Sequence, residues 1–398
     1  MIQSRLYVND PFPSGVPQMI PRSLFTAEHE DFRKTVRRFF AEEVVPHREA
    51  WEAQQHVDRK LWNKAGELGL LCVTMPEEYG GLGVDRTYST ILMEEQSYAG
   101  DSGVGFSLHS DIVAPYINHN GTREQKEKYL PRMATGELVG AIAMTEPGTG
   151  SDLQAVKTTA VADGDDYILN GSKIFITNGY LSDLVIVVAR TGNSGEGAKD
   201  ISLLLVDADS PGFSKGKPLK KIGMHAQDTC ELFFKDVRVP KANLLGGKEG
   251  MGFIMLMQEL AWERLMIAIT SIAGAEASLK HTLDYTRSRK VFGKPVASYQ
   301  NTRFKMAEMK AELAIGRVYV DRCIELAVKK KLGVDDAATA KMWTSDLMCK
   351  VIDQCLQLHG GYGYMLEYPI ARAWIDSRAQ RIYGGTNEIM KELIARTM

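Results

Sequence analysis

DLVIVVARTGNSGEGAKDISLLLVDADSPG, residues 183–212, holds two branched apolar runs, DLVIVVAR and ISLLLVDA, with the turn-forming NSGEG between them and DADSPG after them. Branched side chains favour extended backbone, and Gly, Asn, Asp, Ser and Pro supply the bends, so the stretch reads as strands at hairpin spacing. The same texture surrounds it in ELVGAIAMT, VKTTAVAD, DYILNG, SKIFITNG and ELFFKDVRV. No helix of about 10–15 residues separates these runs, which favours a small antiparallel barrel or sandwich over a parallel dinucleotide-binding sheet.

On either side the pattern turns helical. In HEDFRKTVRRFFAEEVV, Phe32, Val36, Phe39, Phe40 and Val44 recur at spacings of three and four, and Pro46 then ends or kinks that helix. Two further helical patterns lie near residues 86–99 and 122–132. After residue 250 long helical segments cover 250–288, 299–330 and 335–359, followed by a shorter one from about Asn387. The expectation is a multi-domain α+β chain: an all-α domain over 23–135, a β domain over 136–246 and a C-terminal helical bundle over 247–398.

At 398 residues with 44% hydrophobic side chains, the chain can bury a large core. Its 48 basic and 50 acidic residues nearly cancel, so nothing marks a nucleic-acid surface or a polybasic membrane patch. Five scattered cysteines, Cys72, Cys230, Cys323, Cys349 and Cys355, form no C-x-x-C pair and argue against a disulfide framework or a zinc site. MIQSRLYVNDPFPSGVPQ lacks the uninterrupted apolar core of a secretory leader, and no run approaches the ~18 apolar residues of a membrane span. The expectation is a soluble, cytoplasmic protein with no metal.

Four turn-containing stretches are candidates for a site. TEPGTGSD (145–152) is either an ordinary loop or a backbone cradle for an acceptor-rich ligand. KIFITNG (173–179) is a strand and a turn with Phe175 and Thr177 on one face. HGGYGYMLEYPIARAWID (359–376) interrupts a long helix with three glycines in four positions, a break that serves a close approach or a sharp bend. RIYGGTNEIMKELIAR (381–396) runs a Gly-Gly turn into a helix capped by Thr386 or Asn387, whose N–H groups can face an anion or a carbonyl. Arg289, alone, is a solvated charge or a partner for a pyrophosphate.

Together, AMTEPGTGSDLQA (143–155) and QLHGGYGYMLEYPIARAWID (357–376) resemble both signatures of the acyl-CoA dehydrogenase family, flavoproteins that introduce a 2,3 double bond into fatty acyl thioesters. The helix, barrel, helix order agrees from about residue 24 onward. The resemblance implies a β-barrel in the middle, a four-helix bundle at the end, and FAD held between the barrel of one subunit and the bundle of its neighbour. Ile142, Met144, Thr145, Gly150 and Ser151 would then contact flavin or the reacting end of the substrate, and Phe175, Ile176 and Thr177 would line the flavin. Arg289, Phe292, Gln300, Gln357, Gly360 and Gly361 would grip the ADP half from the partner subunit. Thr386 and Glu388 join the cofactor set, and Ser151, Arg264, Gly384 and Gly385 the acyl-CoA set. A homotetramer, built as a dimer of dimers, and an electron-transfer flavoprotein as acceptor are also implied. In a eukaryotic source the compartment would be the mitochondrial matrix.

Many family members place the catalytic glutamate two residues before the threonine of the last turn, but here that position is Gly384. The long-chain and isovaleryl types place it instead on the first long C-terminal helix, just before an arginine. FIMLMQELAWERLMIAI (253–269) matches that arrangement and nominates Glu263. The positions three and four away are Glu259, Leu260, Met266 and Ile267, so no cation on its own helix pairs with it. Glu259 stacks one turn earlier, and an apolar setting pushes at least one of the two carboxyl groups upward, toward the range a base beside a carbonyl needs. Against this stands the reading that both acids meet cations from other helices. Arg264 supports the substrate-binding end or a local charge network. The last turn with WERL looks most like the long-chain subtype, and the small residues of DSGVGFSLHSD (101–111), read as helical, would deepen its cavity. Alternatives are an isovaleryl-type enzyme, a related flavin oxidase or monooxygenase, or a non-catalytic flavoprotein scaffold.

Overall fold

The computed structural model describes residues 20–398 apart from Asn193. The reading of MIQSRLYVNDPFPSGVPQ falls outside the described residues.

The chain opens with the helix Ala27–Phe39, started by a capping box between Thr26 and His29. Its apolar stripe is the inner face: Val36, Phe39, Phe40 and Val44 are buried and Phe32 packs at the edge. Pro46 kinks the path instead of ending it. The helix loosens into a π turn, Phe40–Val44, then a 3₁₀ turn, Val45–His47, and resumes at Arg48–Gln54. Arg86–Tyr98 and Arg123–Ala134 form where the periodicity placed helices, capped by Asp85 and Thr122.

DSGVGFSLHSD is a correction. Asp101–Gly105 is not helical, and the helical path starts at Phe106, widens into a π turn at His109–Val113 and runs on as Ala114–Asn120. The glycines at 103 and 105 stay extended or turned because they lie against Ala226 and Asn178, where a Cβ would meet atoms at 2.5 and 1.8 Å.

Seven strands follow: β1 (Gly140–Ala143), β2 (Thr159–Asp163), β3 (Asp166–Ile176), β4 (Leu184–Arg190), β5 (Ile201–Asp207), β6 (Phe213–Lys215) and β7 (Cys230–Pro240). They make one sheet in the order β1-β4-β2-β3-β7-β6, with β5 on β4. The purely antiparallel barrel is also corrected. β1 runs parallel to β4, Gly140 opposite Leu184 through Ala143 opposite Val187, and β2 meets β4 in parallel at Thr159 and Arg190. The β2–β3 hairpin intervenes between β1 and β4, so the chain returns to β4 heading the same way. This explains why LVIVVA shows no alternation: β4 is buried on both faces. Val185, Val187 and Ala189 enter the core inside the curled sheet. Leu184, Ile186 and Val188 face a second core shared with Tyr116, Ile117, Met255 and Leu256.

The C-terminal region is built on Gly252–Ser288, Gln300–Val328 and Val334–His359, which share a core with Met93 from the first region. In place of one fourth helix, two short ones, Pro369–Ser377 and Asn387–Ala395, pack on Val334–His359, while Arg86–Tyr98 packs on Gly252–Ser288. Four of the cysteines are buried, Cys349 is half-buried, and all five are free thiols.

Sequence reading gave no hint of a charge knot where these helices meet. Glu94 is fully buried and takes Arg22, Arg33 and Arg317 at 2.8, 2.9 and 2.8 Å. Arg33 also reaches Glu95, Arg317 also reaches Glu276, and Arg22 also reaches Asp321.

Candidate active site

Glu263 and Glu259 sit on the same face of Gly252–Ser288, 8% and 7% exposed. What meets them is the short helix Ala114–Asn120, which lies across that face. The Tyr116 hydroxyl donates to Oε1 of Glu263 at 3.0 Å, and Nδ1 of His119 lies 2.6 Å from Oε1 of Glu259. The reading in which both acids meet fixed cations is thus half met. Glu259 has a histidine, whose side chain is 46% exposed, and the charge of Arg86 acts on it as well. Glu263 has a hydroxyl.

Burial pushes the Glu263 carboxyl up to about 7. The Tyr116 hydrogen bond opposes that shift, the Glu259 charge adds to it, and Arg264 opposes it. A carboxylate base acts only when ionised, so kcat/KM rises with pH with a midpoint near this value. Tyr116→Phe removes a hydrogen bond to the charged form, worth about 1.5–3 kcal/mol. The acid limb of the kcat/KM profile is therefore expected to move upward by about one to two pH units. A pH–rate profile of the variant checks this, and an unmoved limb refutes the role of Tyr116.

Gly384 packs against the same side of that helix, at the residue four after Glu263. Its φ is +66°, and a Cβ there would lie 2.3 Å from Cδ1 of Ile267, one turn after Glu263. A side chain at 384 and this placement of the long helix compete for the same space. The turn is anchored from below: Lys341, fully buried, donates to the Gly385 carbonyl and to Oδ1 of Asn387, both at 2.8 Å. Burial pushes this lysine down to about 8. Thr386, not Asn387, caps the last helix, accepting from the Ile389 N–H, while Asn387 points inward to Ser345 and Asp346. Glu388 is exposed in the first turn of that helix. The buried Nε of Arg264 has no hydrogen-bond partner among the described residues.

The glycine-rich loop and the end of β3 come together. Lys173, fully buried, donates to the Met144 carbonyl at 3.0 Å and to Glu146 at 2.9 Å, and Glu146 accepts the N–H groups of Lys157 and Thr158. Thr145 accepts the Ile174 N–H. This clamp holds the Met144–Thr145 backbone against Lys173 and Ile174 of β3, just before Ile176 and Thr177, with Ile142 on β1 leading into it and Gly150 and Ser151 on the exposed turn. Phe175 sits at a bulge within β3: its φ is +61°, the register with β7 shifts between Lys173 and Ile176, and the residue is 63% exposed, so the shared face with Thr177 is not that of a regular strand. Ile142 and Met144 pack into the core that holds Tyr116.

Arg289, Phe292, Gln300, Gln357, Gly360 and Gly361 gather elsewhere, all exposed, at the far end of the bundle. The Arg289 guanidinium lies 5.3 Å over the Tyr362 ring, and a Cβ at Gly360 or Gly361 would meet nothing within 4 Å. From Glu263 to Arg289 is 26 residues along one helix, about 39 Å. One chain does not bring the two groups together.

Models of the N-terminal, middle and C-terminal domains of acyl-CoA dehydrogenase match residues 26–137, 141–237 and 250–398. The chain belongs to the acyl-CoA dehydrogenase family. It is 54% identical over 376 residues to the mitochondrial long-chain specific acyl-CoA dehydrogenase of Rattus norvegicus, covering 94% of this chain and 87% of the relative. A crystal structure of an acyl-CoA dehydrogenase from Geobacillus kaustophilus superposes with a TM-score of 0.93 at 48% identity, covering 95% of this chain and 99% of the other. A glutaryl-CoA dehydrogenase from Mycobacterium smegmatis, solved in complex with FADH2, superposes at 0.87 with 30% identity, over 94% and 95% of the two chains. No helix among the described residues of this acyl-CoA dehydrogenase is long and apolar enough to cross a membrane.

Tyr116, His119, Arg86, Lys173 and Lys341 were not singled out from the sequence. A signal existed for the first two, since Val113, Tyr116 and Ile117 recur at helical spacing in SDIVAPYINHN. The buried lysines carry no periodic signal.

Proposed function

We propose that this acyl-CoA dehydrogenase oxidises long-chain acyl-CoA thioesters to trans-2-enoyl-CoA with FAD, and that Glu263 is its base. One observation carries the assignment of the base: Glu263 is buried and held by a hydroxyl, on the helix turn that occupies the space beside Gly384. The rat relative named for long-chain substrates supports the chain length, and the neighbour solved with FADH2 supports the cofactor.

The residues fit FAD. Gly150 opens on free space beside the clamped Met144–Thr145 backbone and the exposed Phe175 ring, a surface a planar ring can cover. Gly360 and Gly361 leave equal room beside Arg289, whose planar fork suits a pyrophosphate. When bound, FAD supplies the two-electron acceptor that the side chains lack. Glu263 takes the α-proton of the thioester. The Gly384 N–H, which has no acceptor among the described residues, donates to the thioester carbonyl and stabilises the developing enolate. Burial around Glu263 keeps water from the carboxylate.

The separation of Arg289 from Glu263 supports a site completed by a second copy. Exposed Phe304, Ile315 and Val318 on Gln300–Val328 support further contacts between copies, as a homotetramer requires. Electron-transfer flavoprotein is the acceptor consistent with this chemistry.

Anaerobic titration of the purified FAD-loaded protein with acyl-CoA esters from butyryl to stearoyl tests the reading. The flavin is expected to bleach, with the largest kcat/KM on the long chains. No bleaching by any ester would refute it, and rapid reoxidation by oxygen would favour an oxidase.

A further inference from the structure

We infer that the Glu259–His119 pair is the outlet through which Glu263 passes its proton to solvent. The inference rests on Glu263 being the base and concerns the step that follows abstraction. Once protonated, Glu263 is enclosed: it is 8% exposed, its Oε1 is covered by the Tyr116 hydroxyl, and its neighbours on the helix include Leu260, Met266 and Ile267. A bound thioester would cover the side that faces Gly384. The polar neighbour one turn away is Glu259, at the spacing where Cβ atoms stand about 5–6 Å apart. Glu259 in turn touches the Nδ1 of a histidine whose side chain is nearly half exposed.

The charged and polar groups around this path come from four elements, and buried Asp111 of the His109–Val113 turn shares the charge of Arg86. Tyr116 and His119 come from Ala114–Asn120, Arg86 from Arg86–Tyr98 and Arg264 from the long helix itself. Arg86 stacks 4.5 Å over the Trp262 ring, and its charge acts on Glu259. Imidazole exchanges protons near neutral pH at either nitrogen.

The step balances in protons alone. The α-C–H bond breaks, its electron pair stays on the substrate as the enolate, and an O–H bond forms on Glu263. That proton moves to the Glu259 carboxylate, then to the imidazole, and leaves from its exposed side to water. Glu263 and Glu259 end as carboxylates and His119 as neutral imidazole, with nothing oxidised.

The test uses the FAD-loaded protein in D₂O with a 3,3-dimethylacyl-CoA, whose β-carbon bears no hydrogen, so that only the proton side of the reaction runs. Deuterium incorporation at the α-carbon then reports how fast the base equilibrates with solvent. At pH about 8, His119→Ala and Glu259→Gln are each expected to slow incorporation at least about tenfold. Single-turnover bleaching by an ordinary acyl-CoA, which needs only one transfer to Glu263, should fall by a much smaller factor than incorporation does in each variant. Added imidazole should restore incorporation in His119→Ala. Wild-type incorporation in either variant, or incorporation and bleaching falling by the same factor, overturns the inference. Glu263→Gln, run alongside, separates the two levels: undiminished bleaching there removes the base itself.

Discussion

Glu263→Gln is expected to reduce the rate of flavin bleaching by acyl-CoA about 100- to 10,000-fold while leaving the protein folded and yellow. Glutamine keeps the shape and accepts the Tyr116 hydrogen bond, but it cannot take a proton. The same substitution should raise stability above neutral pH. Burial lifts the folded-state pKa from the ordinary 4.5 to about 7, so the folded state binds this proton more tightly than the unfolded chain does. The carboxyl is therefore compatible with its site below the ordinary value, and ionising it against burial costs stability progressively as pH rises through about 7. Thermal unfolding at pH 8 should show the variant above wild type, with the difference vanishing by about pH 4. A variant that bleaches normally, or that gains nothing at pH 8, contradicts this account of Glu263. Lost turnover with gained stability is the signature of a group placed for chemistry at the expense of the fold.

Glu94→Ala should be the most damaging single change away from the site. Burial alone would raise the Glu94 carboxyl, but Arg22, Arg317 and Arg33 outweigh it and hold the group well below the carboxylate range. Removing it leaves three guanidinium groups facing one another in a buried space, a loss of about 3–5 kcal/mol. Lys34→Ala, which breaks an ion pair exposed on both sides, should leave the unfolding midpoint essentially where it is in wild type. Urea unfolding of the two variants gives the comparison. Because the folded pKa of Glu94 is depressed, its contribution is complete above the ordinary 4.5 and is lost only as pH falls toward the folded value. The deficit of Glu94→Ala should therefore be constant between about pH 5 and 7. Equal midpoints for Glu94→Ala and wild type would mean that the knot is dispensable.

The helical regions were legible because their apolar residues repeat at the helix period; the three long C-terminal helices fall within two residues of their expected limits. β4 was legible as a strand, but a run buried on both faces has no alternation, so neither its parallel pairing nor its central place could be read from it. Glu263 stood out because charge is rare in an apolar helix and because the family resemblance expects the acid of many members at the position that Gly384 occupies here. Tyr116 and His119 did not stand out. Their role depends on a contact across more than 130 residues of chain, and local pattern carries no information about such contacts.

The π turn His109–Val113 has one more residue than an α-helical path would need, so everything after it is rotated. Tyr116 and His119 owe their aim to that offset. Deleting a single residue there would swing the following turn by about 100° and leave both side chains facing away from their acids. The angular phase of a seven-residue helix thus sets which groups the acids of its long neighbour meet.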